Sequence, residues 1–221
     1  MKINSEKTKQ MIFNFTNDFQ FSTRNNINGK NIEVIDKVKL LGVVLTNDLK
    51  WEENTNLLVK KANARMQLLQ NCATFTTDKN ELTNVYILFI RSILEQSCVV
   101  WHSSLNKEDS ENLERVQKSA IKVILQEEFT EYTEGLQHLK LDTLSERRAA
   151  LCQNFAEETV KHEKMKYMFP KNTLSPNMET RHHEVYKVNM AFTERYQASA
   201  VPQLQRMLNQ NIINEEINES Y

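Results

Sequence analysis

Three glycines and three prolines in 221 residues leave this chain few places to turn tightly. Glycine supplies positive φ and proline ends helices, so their scarcity favours long uninterrupted helices. It also argues against a phosphate-cradling loop, since the three glycines stand apart from one another. Hydrophobic residues at 40% and charged residues at 26% are ordinary for a globular protein. The chain length suits one domain, or one domain with a small appendage.

The first 46 residues carry strand signals. Met11-Ile12-Phe13-Asn14-Phe15 is a short apolar run, and Asn28-Gly29 is a hairpin turn signal followed by Asn31–Ile35. Val38–Leu45 is a β-branched run with Gly42 inside. These predict a small antiparallel sheet of two or three strands, which needs a packing partner to be stable. From Trp51 the period changes to helical. Trp51, Leu58, Ala62, Arg65 and Leu69 form the first stripe. A second helix is expected from Asp78, where Glu81 stands at capping-box spacing, with Leu82, Val85, Tyr86, Phe89, Ile90 and Ile93 inward. A third starts near Asn106 with Leu113, Val116, Ala120 and Ile124, and a fourth opens at the capping box Thr143–Glu146 with Leu144, Leu151 and Phe155. Pro170 and Pro176 bracket a polar loop, and the Asn/Glu-rich tail from Asn209 reads as frayed. The expected fold is α+β and predominantly α-helical: a β-hairpin segment over 1–50, a helical bundle over 51–168, and an irregular, partly helical segment over 169–221.

Cys72, Cys98 and Cys152 are widely spaced and read as buried reduced thiols. The N-terminal residues contain no apolar signal core, and the longest apolar run is too short for a bilayer. An intracellular, non-secreted protein with no membrane association is the expectation. No metal or cofactor is expected. His102, His138, His162, His182 and His183 form no ligand spacing, and no cysteine has a sequence neighbour that would activate it. Trp51 and Trp101 read as core anchors.

Six segments, in order along the chain, resemble the C-terminal, post-catalytic part of a non-LTR retrotransposon reverse transcriptase. Lys7-Thr8-Lys9 before Met11-Ile12-Phe13 resembles the segment after the catalytic box. Lys39-Leu40-Leu41-Gly42-Val43-Val44-Leu45 with Asp48-Leu49-Lys50-Trp51 resembles the next strand pair and its exit into the thumb. Ile93-Leu94-Glu95-Gln96-Ser97-Cys98-Val99-Val100-Trp101, Leu113-Glu114-Arg115-Val116-Gln117-Lys118-Ser119-Ala120 and Leu141-Asp142-Thr143-Leu144-Ser145-Glu146-Arg147-Arg148 are similar to the thumb and the helices that follow it. Arg195-Tyr196 through Leu208-Asn209 is similar to the closing segment. The departures are as informative. Ser92 stands where the family often has proline, and Leu208 where it has tryptophan. The polymerase needs carboxylates to hold two magnesium ions. This chain has no Asp-Asp pair anywhere.

The resemblance implies an enzymatically inactive fragment whose thumb-like helices could track an RNA/DNA hybrid weakly. Two cationic sets have helical spacing for that: Lys60, Lys61 and Arg65 on the first helix, and Arg115, Lys118 and Lys122 on the third. Against it stand the net charge of −1 and its distribution, +3 over residues 1–50, zero over 51–126 and −4 over 127–221. The competing expectation for the second set is a solvated face laced by Glu111–Arg115 and Glu114–Lys118 ion pairs. Arg147-Arg148, near a helix start, opposes the helix dipole and suggests either a partner contact or a local pair with Glu146. The alternative function is a helical protein-interaction module with no nucleic-acid role. A third possibility is a split enzyme whose palm lies on another chain. An open edge on the N-terminal sheet points to self-association.

Overall fold

The computed structural model describes residues 3–4, 6–14, 25–27, 29–172, 185–188, 190 and 193–219, the last six as backbone. The His182-His183 pair lies outside these residues. The fold is predominantly helical with a small N-terminal antiparallel β element, as the periodicities imply. It divides into two compact units, residues 1–58 and 59–221.

In the first unit the strands are short and paired in twos. β1 (Lys9–Gln10) runs parallel to β4 (Glu33–Val34), and β2 (Asn26–Ile27) is antiparallel to β3 (Lys30–Asn31). β5 (Lys37–Leu40) and β6 (Val43–Thr46) form the longest hairpin. Met11–Asn14, expected as strand, is not; pairing stops at Gln10. The run Val38–Leu45 folds back on itself at Gly42 to make the β5–β6 pair. Leu41 and Gly42 take φ of 48° and 91°, the positive-φ pair of a two-residue hairpin turn. A glycine at the second position makes this turn accessible even with leucine at the first. One outward-facing edge amide is covered: Val44 N donates to Asn54 Oδ1 at 3.1 Å, and Asn54 is buried.

Asn54 belongs to α1 (Glu52–Phe75), which turns Trp51, Leu58, Ala62, Met66 and Leu69 inward. Arg65, expected in that stripe, is exposed, and Met66 takes its place. α2 (Lys79–Tyr86) is capped by Asp78, whose side chain accepts from Asn80 N at 2.8 Å. The capping box expected there does not close; Glu81 accepts from Thr76 Oγ1 at 2.9 Å. A π-helical turn over Ile87–Arg91 follows, then α3 (Ser92–Leu94) and α4 (Cys98–Trp101). The wider turn changes the phase. Burial recurs every fourth residue at Leu82, Tyr86, Ile90, Leu94 and Cys98. Phe89, expected inside, is 47% exposed, with Leu88 beside it at 66%.

α5 (Lys107–Leu125) opens on Asn106, which accepts from Asp109 N at 2.7 Å. It buries the expected Leu113, Val116, Ala120 and Ile124, together with Gln117, Ile121 and Leu125. α6 (Tyr132–Leu139) packs on it through Leu136 and Gly135. α7 (Leu144–Lys161) carries the expected capping box, Glu146 N to Thr143 Oγ1 at 3.2 Å and Thr143 N to a Glu146 carboxylate oxygen at 3.1 Å. Its fully buried face is Leu144, Arg148, Cys152, Ala156 and Thr159; Leu151 and Phe155 are half-buried, and Phe155 packs against the core around Cys152 and Ala156. α8 (Glu194–Ala198) leads into α9 (Ala200–Glu219), which packs on α7 with Leu204 and Leu208 in the shared core. α9 continues as helix as far as Glu219, within the stretch from Asn209 that composition reads as frayed.

Candidate nucleic-acid interface

The site is built on α5. Arg115, Lys118 and Lys122 recur at i, i+3 and i+7, so they share one face, and all three are exposed. The acids that could have neutralised them are engaged elsewhere. Glu111 pairs with Lys107 at 3.8 Å, not with Arg115. Glu114 accepts the hydroxyl of Tyr132 and, at 3.1 Å, the amide of Leu144 at the start of α7. The laced face expected from spacing is therefore not formed, and among the described residues none of the three cations has an acid partner.

Glu114 is held by a polar network that crosses the bundle. Tyr86 of α2 donates to Gln117 Oε1. Gln117 Nε2 donates to Tyr132 Oη and to the Asp142 carbonyl, each at 2.9 Å. Burial pushes the Tyr86 hydroxyl well above its ordinary range. Burial and the hydrogen bond to Glu114 do the same for Tyr132. Both stay protonated donors, so Glu114 remains the acceptor.

Beside the stripe lies an open groove of about 450 Å³, bordered by Lys118, Lys122, Phe129, Thr130, Glu131 and Thr133. Lys122 Nζ sits 5.3 Å from the centre of the Phe129 ring. Two ammonium groups and the Thr133 hydroxyl can take a phosphate oxyanion there; Thr130 already donates to Glu134, and Glu131 opposes an anion. A second groove, about 680 Å³ in the N-terminal unit, mixes Asp36, Asp48, Glu52 and Glu53 with Lys37 and Lys50. Lys37 pairs with Glu53 at 3.5 Å and Lys50 with Asp48 at 3.4 Å, which leaves no cationic excess for a polyanion.

No family model, curated protein or solved structure matches this chain. The site rests on its own residues. Lys60 and Arg65 are exposed on α1 and Lys61 half-buried, and none of them forms an ion pair among the described residues. No hydrogen bond or ion pair among those residues links the α1 set to the α5 set. Trp51 and Trp101 are buried, and Trp101 Nε1 donates to the Gln96 carbonyl at 3.0 Å, so neither indole offers a stacking face to a base. Arg147 pairs across space with Glu95 at 3.2 Å, and Arg148 is wholly buried; neither pairs with Glu146, whose carboxylate closes the capping box. Among the described residues no helix is long and apolar enough to cross a membrane, and no group of three or more His, Cys, Asp or Glu could hold a metal ion. Sequence reasoning missed the freeing of Lys118. The signal was the tyrosine at 132, polar enough to capture Glu114 once α6 folds back on α5.

Proposed function

We propose that this chain is a catalytically inactive, reverse-transcriptase-like thumb fragment that retains weak, salt-sensitive binding to an RNA/DNA hybrid. The observation that carries the reading is the cationic face of α5, where Arg115, Lys118 and Lys122 stand without acid partners because Glu111 and Glu114 are bound elsewhere. Three cations at helical spacing suit successive backbone phosphates, and Lys60, Lys61 and Arg65 would extend the contact. The ordered resemblance from Lys7 to Asn209 supports the same reading, and the missing Asp-Asp pair supports the lack of polymerase activity. With a net charge of −1, affinity would come from the stripe rather than from the whole molecule's field.

The alternative, a helical protein-interaction module, draws on Leu88 and Phe89, two large apolar side chains that the π-helical turn leaves at the surface. One experiment separates the readings: titration of the full chain with a labelled RNA/DNA hybrid across a salt series. The proposal expects log affinity to fall linearly with log salt, with a slope of about two to three for the α5 face alone. Absence of binding at low salt would overturn the nucleic-acid role in favour of a protein partner. Primer extension by the purified chain would overturn its inactivity.

A further inference from the structure

Cys98 and Cys152 are each 3% exposed and unoxidised. They lie on two helices that pack together, Cys98 on α4 and Cys152 on α7, and the Arg148–His102 contact one turn away sets them at the same level of that packing, each within the other's electrostatic reach. Four residues after Cys98 stands His102, and four before Cys152 stands Arg148, with Arg148 Nε 3.4 Å from His102 Nδ1. The two segments thus meet in two rungs, thiol to thiol and guanidinium to imidazole. Arg148 is wholly buried, lies 5.7 Å over the Trp101 ring, and its Nη1 and Nη2 atoms have no hydrogen-bond partner. A buried guanidinium this poorly bonded favours negative charge beside it. The groups whose charge reaches it are Glu114, Glu95 and the two cysteines. Glu95 is already bound by Arg91 at 3.4 Å and Arg147 at 3.2 Å, and Glu114 by Tyr132 and Leu144. The thiol pair is the remaining source of an anion.

We propose that Cys98 and Cys152 form a reversible oxidation site, converted by hydrogen peroxide to a disulfide that ties α4 to α7. The inference is independent of the nucleic-acid reading. The hydrogen bond from Cys152 draws the Cys98 thiol toward its thiolate, with Arg148 assisting against burial and Glu95, while the proton is held on Cys152. The Cys98 thiolate attacks one peroxide oxygen and the O–O bond breaks. The departing hydroxide takes a proton from Cys152 and leaves as water, with Cys98 now a sulfenic acid. The Cys152 thiolate then attacks the Cys98 sulfur; the S–O bond breaks and hydroxide leaves, protonated by solvent to a second water. Two thiols give up two protons and two electrons, and one peroxide becomes two waters. A thiol reductant reverses the cross-link.

The test uses the full chain with Cys72→Ser, so that only this pair remains, exposed to hydrogen peroxide in native buffer. The expected result is joint loss of both thiols, a mass lower by two hydrogens, a peptide map joining Cys98 to Cys152, and full return with dithiothreitol. With Cys152→Ser added, Cys98 should stop at a sulfenic acid trapped by dimedone. With Cys98→Ser added, Cys152 should react at least tenfold more slowly. The oxidation rate of the native pair should rise with pH through an inflection below the ordinary cysteine value of about 8.5. That profile tests the role of Arg148 without a variant that could unfold the core. Persistence of both thiols in the native chain under peroxide that oxidises the urea-unfolded chain would overturn the proposal. So would separate oxidation to sulfinic acids, or an inflection at or above the free-thiol value.

Discussion

Tyr132 donates its hydroxyl to Glu114, and by doing so separates Glu114 from Lys118, the cation one turn along the same helix. A bond inside the bundle therefore sets the charge on its surface. Replacing Tyr132 with phenylalanine removes the donor and leaves Glu114 partly buried with one bond fewer. The loss in unfolding free energy should be about 1–3 kcal/mol, measured by urea denaturation. If a nucleic acid does bind α5, affinity should fall with it, because Glu114 becomes free to pair with Lys118.

Lys118→Gln with Lys122→Gln should weaken binding to an RNA/DNA hybrid and lower the salt slope by about one per lost phosphate contact. Both side chains are exposed, so the melting temperature should hold within about 0.5 kcal/mol of equivalent stability. An unchanged slope would remove these lysines from the interface.

Burial and the facing Arg148 hold His102 down at about 4, so the folded chain refuses a proton that the unfolded chain accepts below its ordinary 6.5. The stability His102 provides is complete above pH 6.5 and is lost as pH falls toward 4. Allowing for the ring's partial exposure, the loss should be on the order of 1–2 kcal/mol. Melting curves from pH 7.5 to 4 should show it, and His102→Gln should flatten that part of the profile.

Gly135 sits where α6 meets α5, and a methyl group there would come within 2.7 Å of Ile121 Cγ2 and 3.3 Å of Leu125 Cδ1. The Ile121 methyl is attached to a β-branched carbon and has little freedom to retreat. Gly135→Ala gains about 1 kcal/mol of helix propensity but overpacks this contact, so a net loss of about 1–2 kcal/mol is expected in thermal unfolding.

Leu41 is 91% exposed and held at φ 48°, which suits asparagine far better than leucine. Leu41→Asn should stabilise the β5–β6 hairpin by about 0.5–1 kcal/mol and remove an apolar tip beside an edge strand. If the N-terminal element drives self-association, the variant should sediment as a smaller species and melt with less dependence on concentration than the parent chain.

What was legible in the sequence was local. Thr143 and Glu146 are three residues apart and close their box as spacing implies, and the α5 stripe follows from an unbroken 3.6 period. What was not legible came from residues far apart in sequence or from a change of period. Glu114 has a lysine at ideal helical spacing, yet its partner lies 18 residues away. Cys98 has no cationic neighbour along the chain; Arg148, one turn before Cys152, reaches Cys98 only once α7 folds onto α4. Phe89 was placed inside because a 3.6 period was carried through Ile87–Arg91, where the helix widens.

That widened turn amounts to one surplus residue absorbed without breaking the rod. In an ordinary α-helix each residue advances the face by about 100°, so deleting one position between 87 and 91 would let the turn relax and swing everything after it relative to Leu82 and Tyr86. Leu94, Cys98 and Trp101 are all buried on the far side of that joint. The length of one turn thus sets the phase in which Leu94 reaches the core, ahead of the left-handed Ser97 where the helix stops and Cys98 opens the next one.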